Sequence, residues 1–399
     1  MRILCVGGGP AGLYFSLLMK LWDPANDVIV LERNKEGVTR GWGVTMEQRF
    51  LTKLAELDAE SAEEIEWRSV RWQDQVVCFG GGREVRHESG DAHAVSRQRF
   101  TDIFATRARQ LGVNIRYERD IRDLSELPAN ADLIVAADGA DSQLRAGQHK
   151  FGTTVTEGRN KHIWLGTGKV FDSFNFFFEP TEAGWIWAYA YQHEPRASTF
   201  IVECEPQTWS GLGFDGCSPT RTLGRLEEIF SGHLDGHRLW SQFADSTDAR
   251  WQNFRTVSNK RWHHGNVVLL GDSAHTAHFS AGLGTTLAIG DAITLAAQLR
   301  RAGHQAVGPG SGGLTAALTA YQRQRQSELC RHAAQAQRSA QWFENVPRYA
   351  DLTPGQFATV LHGRRGAVPP NLSPRLFCQL HSVGRCFGIE AKLSSLAGR

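Results

Sequence analysis

The sequence predicts an α/β (α+β) fold: a parallel-sheet unit interrupted by an antiparallel sheet and followed by a helical C-terminal tail. Three observations carry this. The first 33 residues read as β-α-β. Short apolar runs of buried-strand type recur at Leu133–Ala137 and Val267–Leu270. Between them, about 152–260, aromatic and apolar residues alternate with period two, as in antiparallel strands. In order, Ile3–Val6 is an apolar run ended by glycines, and Pro10 suits a first helical turn. Leu13, Leu17, Leu18 and Leu21 form a helical stripe, and Val28–Leu31 is a strand ending at Glu32. Phe100, Ile103, Phe104, Ala108 and Leu111 keep the helical period, and Gly112 stands where a C-terminal cap belongs. Val113, Ile115 and Tyr117 alternate as a strand. Ten aromatics lie between 163 and 191, either as packed core or as a face that meets a flat ligand. A helix is expected from about 285 to 300, a flexible loop at 304–314, and helices over 315–345. The boundaries expected are 1–75, 97–155 and 261–330 for the parallel-sheet unit, 76–96 and 156–260 for the β-rich unit, and 331–399 for the tail.

Composition excludes several classes. The 399 residues contain 41 glycines but only 13 prolines, so the glycine marks tight turns and close backbone approaches rather than a collagen or a linker. Lys+Arg total 44 and Asp+Glu 42, a net +2, which argues against nucleic acid as a partner. The charge is uneven: residues 331–399 hold nine Lys/Arg and three Asp/Glu, so +6, leaving −4 for the rest. No apolar run approaches the ~20 residues of a membrane helix, and the opening residues lack the features of a signal peptide. Seven scattered cysteines without a C-x-x-C indicate neither a disulfide framework nor a metal site. The expectation is a cytoplasmic protein with reduced thiols.

Gly7-Gly8-Gly9-Pro10-Ala11-Gly12 fits G-x-G-x-x-G between a strand and a helix, the context that motif requires. Gly7 permits the turn, Gly9 lets a pyrophosphate approach the backbone, and Gly12 lets the helix pack on the strand. Pro10 and Ala11 open a helix whose free N–H groups attract an anion. Glu32, at the end of the second strand with Arg33 beside it, is placed to bind ribose hydroxyls and to repel a 2′-phosphate. Two further motifs follow: Asp138-Gly139-Ala140-Asp141-Ser142-Gln143-Leu144-Arg145, and Gly271-Asp272-Ser273-Ala274-His275 with Gly282-Leu283-Gly284-Thr285-Thr286 and Asp291-Ala292 after it.

This order of motifs, over most of 1–300, resembles the FAD-dependent aromatic-ring hydroxylases of the para-hydroxybenzoate hydroxylase fold. The resemblance implies a Rossmann-like FAD-binding domain interrupted by a substrate domain. Asp272 would bind a ribityl hydroxyl, Leu283, Gly284 and Thr285 would meet the flavin ring at a helix N-terminus, and Asp138 and Gly139 would form the second, dual-purpose FAD/NAD(P)H motif. Arg97 is either a solvated helix charge or the family's arginine beside FAD. Gly43, in Gly41-Trp42-Gly43-Val44, would lie in a flavin-side loop.

His278-Phe279-Ser280-Ala281-Gly282-Leu283-Gly284-Thr285 lacks the proline usual in that family. It resembles a narrower branch that includes salicylyl-CoA 5-hydroxylase, the aminobenzoyl-CoA monooxygenases and the violacein-pathway tryptophan hydroxylase. Such a protein would use FAD, NADH or NADPH, and O₂, and would transfer oxygen from a flavin C4a-hydroperoxide to an electron-rich ring. The most specific expectation is a CoA thioester, salicylyl-CoA, hydroxylated at position 5 to gentisyl-CoA. A free aromatic such as tryptophan or an indole is the alternative, and a non-catalytic FAD-stabilised escort protein is a reading of another class. A base would draw off a phenol proton. His278 and Tyr189 are the catalytic candidates, and His162, Trp164 and Tyr191 the substrate candidates. Arg364 and Arg365, with Arg375, Arg385 and Lys392, either bind CoA phosphates or form a solvated face. The sequence leaves open the choice of NADH or NADPH and the oligomeric state.

Overall fold

The computed structural model describes residues 1–399 apart from 40, 82–83, 242–249, 304–311, 367–372 and 380–399. The expected loop at 304–314, together with Arg385 and Lys392, therefore lies largely or wholly outside the described residues.

Six strands form the first sheet. Arg2–Val6 is central, with Asp27–Leu31 parallel on one side and Leu133–Ala136 parallel on the other. Val267–Leu269 continues the parallel order beyond Leu133–Ala136, so chain from three separate regions builds one sheet. Each of these runs is apolar because both sheet faces are covered. Helices Pro10–Trp22, Arg97–Gln110 and Gly284–Ala302 contribute Leu13, Leu17, Phe100, Phe104, Ile289 and Leu295 to the same core. The strand expected around Val113–Tyr117 is Asn114–Arg116.

The second sheet has nine strands. Its centre is Phe174–Thr181, Gly184–Glu194 and Ala197–Cys204, joined antiparallel, with Thr153–Thr167 beyond. Val70–Phe79 and Val85–Ser96 extend the other side, and Gly43–Glu47 completes it. The period-two pattern is buried on both faces. Phe177, Phe200 and Ile186 face a cluster with Leu226 and Phe230. Phe176, Phe178, Trp187 and Tyr189 face the C-terminal segment.

That segment explains why so many rings are needed. Helix Gly312–Phe343 runs from the first sheet to the second, and Trp342 and Phe343 end it in the aromatic layer. Helix Pro354–Gly363 follows, capped by Thr353 and Gln356 acting reciprocally. Its Phe357 stacks on Phe79 at 3.9 Å and meets Phe178 edge-on at 4.6 Å. No helix among the described residues is long and apolar enough to cross a membrane.

Phe357 is fully buried between the sheet and Trp342. Phe357→Ala should destabilise the fold by about 3–5 kcal/mol, the usual cost of emptying a buried phenylalanine site. Urea unfolding would measure this. A change below ~1 kcal/mol would mean that the C-terminal helix is not pinned by this ring.

Candidate active site

Two of the helices that begin without a side-chain cap begin at motif glycines. Helix Pro10–Trp22 has Gly9 as its N-cap and helix Gly284–Ala302 has Leu283, and neither cap residue offers an acceptor. The first amides of both helices are left for another partner. A Cβ placed on Gly9 or on Gly284 would meet nothing within 4 Å, so open space lies before both ends. Gly7 is different. Its φ is +113°, and a Cβ there would strike the Ala137 carbonyl, so the loop lies directly on the next strand. At Gly12 a Cβ would strike the Gly7 carbonyl, which fixes how closely the helix sits on that loop.

The two helices also pack together. Gly271, at φ +66°, comes so near that a Cβ would lie 3.0 Å from the Ala11 Cβ and 3.4 Å from that of Ala288. Asp291 locks this arrangement. Its fully buried carboxylate accepts from the Gly271 amide at 3.2 Å, from His275 Nε2 at 2.8 Å and from Arg325 Nε at 2.7 Å. Burial alone would raise its pKa, but His275 and Arg325 hold it below the usual carboxylate range.

The Asp138–Arg145 motif is a clamp. Asp138 Oδ2 accepts from the Gln143 and Leu144 amides, and Ser142 Oγ caps the Arg145 amide. The Arg145 guanidinium donates to the Ala140 carbonyl at 2.6 Å and to the Ser273 carbonyl at 3.1 Å, tying this loop to the Asp272 loop. Sequence reasoning assigned no role to Arg145, Asp291 or Arg325. The serine and arginine of D-G-x-x-S-x-x-R were the available signal for the first.

Several polar groups here lack protein partners. The Oδ1 atom of Asp138 and the Nε atom of Arg97 are buried with no hydrogen bond. Asp272 accepts no side-chain hydrogen bond from a described residue. Burial pushes its carboxyl up, against the pull of Arg97 and His275. Glu32 accepts from the Gly8 amide at 2.6 Å and from the Asn34 amide and side chain at 2.8 and 2.7 Å. A carboxylate offers about four acceptor positions, so one remains for a ribose hydroxyl. Arg33 is exposed and Gly139, at φ +87°, has open space around it. Two open helix ends, carboxylates with acceptor positions to spare and an arginine Nε without a partner fit the parts of FAD: anionic pyrophosphate, ribityl and ribose hydroxyls, and an electron-accepting ring. Thr285 and Leu283 are half-buried at the second helix end.

The candidate catalytic and substrate residues divide. His278, His162 and Trp164 are partly exposed. Phe279 joins the two histidines, its ring 4.4 Å from that of His278 and 4.9 Å from that of His162. Burial pushes His278 down to about 3, with His162 adding to the effect, and pushes His162 down to about 4. Both imidazoles are neutral at pH 7.

Four candidates are turned away from open space. Tyr189 is buried, and its hydroxyl donates to Glu203 at 2.6 Å. Tyr191 is buried, and its hydroxyl donates to the Gly43 carbonyl at 2.8 Å. The Gly43 amide in turn donates to Thr199 at 2.9 Å, so both backbone groups of Gly43 already have protein partners. Arg364 is buried over the rings of Phe176 and Phe343 and donates to the Leu361 and Ser280 carbonyls. It is a core cation rather than a surface phosphate ligand. Arg365 is half-buried, with a guanidinium nitrogen 3.9 Å from the Cβ position of Gly282. Arg375 is exposed and donates to the Asp351 carbonyl.

Two predictions follow from this geometry. Gly9→Ala introduces a methyl that no protein atom opposes, at a φ of −75° that alanine accepts. The variant should fold with an unchanged melting temperature as apoprotein yet bind FAD at least tenfold more weakly, measured by fluorescence titration; undiminished affinity would remove the pyrophosphate from this loop. The second concerns Glu203. Burial pushes its carboxyl up to about 7, although Tyr189, Asn160 and Trp187 donate to it. A folded-state pKa above the unfolded ~4.3 means that its stabilising effect is complete below that value and is lost as pH rises through about 7. Glu203→Gln should therefore gain stability relative to wild type between pH 4 and 8, a trend that unfolding curves across that range would reveal or refute.

Comparisons with known proteins show the family. Residues 1–327 match the FAD binding domain family. Salicyloyl-CoA 5-hydroxylase from a Streptomyces species is 36% identical over 369 residues, covering 90% of this chain and 68% of that protein. Protodeoxyviolaceinate monooxygenase of Chromobacterium violaceum is 30% identical, covering 93% of this chain and 96% of that one. The 3-hydroxy-4-methyl-anthranilyl-[aryl-carrier protein] 5-monooxygenase of Streptosporangium sibiricum is 33% identical, covering 87% and 90%. Among solved structures, p-nitrophenol 4-monooxygenase of Pseudomonas putida shares the fold, with a TM-score of 0.68 at 18% identity over 95% of this chain and 97% of that one. The chain belongs to the FAD-binding aromatic hydroxylases and is a flavin-dependent monooxygenase.

Proposed function

We propose that this monooxygenase hydroxylates an aryl thioester, most specifically salicyloyl-CoA at position 5 to give gentisyl-CoA, with NADH or NADPH and O₂ as co-substrates. The observation that carries the reading is the 36% identity, over 90% of this chain, to a salicyloyl-CoA 5-hydroxylase. The relative named for an aryl-carrier substrate supports a thioester in particular.

In this reading the six-stranded sheet and its helices are the FAD unit and the nine-stranded sheet is the substrate unit. The amides of Gly9 and Ala11 hold the pyrophosphate, where the helix dipole favours negative charge. Glu32 takes a ribose hydroxyl, and Asp272 and Asp138 take further hydroxyls. Gly284 and Thr285 present the second helix end to the flavin ring, and Arg97 lies beside it. FAD, when bound, would pass electrons from NADH or NADPH to O₂ and deliver one oxygen atom of that O₂ to the ring. The protein orients the ring and excludes water. His278, His162, Trp164 and Phe279 line the substrate side. Arg365 reaches Gly282 from the C-terminal segment, close to the ring end of a bound substrate. Arg364, buried and committed to two carbonyls, does not serve CoA phosphates in this reading.

A second reading, hydroxylation of an indolic substrate that is not a thioester, is supported by the near-complete overlap with protodeoxyviolaceinate monooxygenase. One experiment separates them. The FAD-loaded protein is given NADH and O₂ with salicyloyl-CoA, salicylate or tryptophan. The thioester should accelerate NADH oxidation and yield a product heavier by one oxygen atom, hydroxylated para to the phenol. Stimulation by tryptophan alone would replace the first reading with the second.

A further inference from the structure

His278 is a basic residue placed in the loop before the second helix end, and a base for the phenol proton is the role its type suggests. Its hydrogen bonds oppose that role. The short helical turn Phe279–Ala281 is capped by the His278 side chain, which accepts from the Ser280 amide at 3.3 Å. An amide N–H can only donate, so His278 Nδ1 carries a lone pair and no proton. Ser280 Oγ lies 2.8 Å from the same nitrogen and 2.8 Å from Ser339 Oγ, and Ser339 is fully buried in helix Gly312–Phe343. The Arg364 guanidinium donates to the Ser280 carbonyl at 3.2 Å. Ser280 is thus held at its side chain and its carbonyl, and its amide presses on the imidazole.

An imidazole that is neutral and unprotonated at Nδ1 carries its proton on Nε2. The hydrogen bonds of His278 to described residues are both at Nδ1 and the residue is partly exposed, so the Nε2–H is left for another acceptor. The rings of Phe254, at 4.7 Å, and Phe279, at 4.4 Å, hold the imidazole from its sides and offer it no anion. His162 is the one titratable group that adds to the burial effect on this ring, and its influence also favours the neutral form.

We propose that His278 is a fixed hydrogen-bond donor, acting through Nε2–H on an oxygen atom of the aromatic substrate, and is not the base that removes its proton. The inference rests on the aromatic-hydroxylase reading for the identity of the ligand, but the tautomer is independent of it. A donor on the phenolic oxygen stabilises the phenolate form, which is the more nucleophilic ring, while the phenol proton leaves to bulk water and none passes to the histidine. Ser280, Ser339 and Arg364 are positioning residues that select the tautomer.

The tautomer is read directly by proton–nitrogen NMR correlation of ring-labelled histidine in the FAD-loaded wild-type protein, with His278→Gln used to assign the signal. The expected pattern is an unprotonated Nδ1 and a protonated Nε2 from pH 6 to 8. A protonated Nδ1, or titration of the ring in that range, overturns the proposal even if the enzyme hydroxylates salicyloyl-CoA. The second arm compares variants with intact FAD content. His278→Gln, which keeps an N–H donor, should hold kcat/KM within about tenfold of wild type with the same pH profile. His278→Ala should lose roughly 10–100-fold, the scale of a hydrogen bond to a charged group, and should raise the pKa of a bound phenolic ligand in spectrophotometric titration. Equal loss in both variants, with disappearance of a pH-dependent limb, would make His278 the base. Failure of the aromatic-hydroxylase reading would show instead as no stimulation by any substrate and an unchanged NMR pattern.

Discussion

The buried carboxylate of Asp291 organises the rest of the site. It lies in helix Gly284–Ala302 and takes hydrogen bonds from Gly271 in the preceding loop, from His275 just beyond that loop, and from Arg325 in helix Gly312–Phe343. Removing a single carboxylate from water is costly, and removing one partner of such a cluster leaves a buried charge uncompensated. The cluster therefore acts as a unit that sets where the second helix begins. Because Gly271 touches Ala11, it also sets the distance between the two helix ends. A dinucleotide that spans both ends needs that distance held, and propensity or surface pairing alone would not hold it.

The second constraint is coverage of the aromatic sheet. Its rings are the core between the strands and the C-terminal helices, which reach back to the loop before the second helix end through Arg364, Ser339 and Arg365. Arg364 is expensive to keep in such a place. Burial pulls it down to about 9, and its ring contacts and two carbonyl acceptors only partly replace water. Its return is control over Ser280. The tail, whose arginines the sequence left as either phosphate ligands or a solvated face, is in its described part a structural cover whose interior cation shapes the active-site loop.

Much of the fold and the cofactor cradle was legible because backbone constraints are local. A strand followed by glycines and a proline can be recognised without knowing the rest of the chain, and Gly7 and Gly12 are glycine because their neighbours leave no room. Asp138 and Glu32 were legible for the same reason, each being fixed to a strand end. The Asp291–Arg325 pair was not, since a separation of 34 positions carries no periodic signal. Period-two alternation placed Trp187, Tyr189 and Tyr191 on one face of a strand but did not reveal what covers that face. Phe343 and Glu203 decide it, and they withdraw Tyr189 from the substrate. Residue type suggested a base at His278, whereas the direction of one amide hydrogen bond, set by a cap three residues long, reverses its proton inventory.

The central claim is that one FAD engages both open helix ends at once. Amide hydrogen exchange with and without added FAD tests it most directly. The account predicts slowed exchange in two separate segments, Gly8–Gly12 and Gly284–Thr286, at the same FAD concentration. Protection confined to one of them, or absent from both, would contradict it.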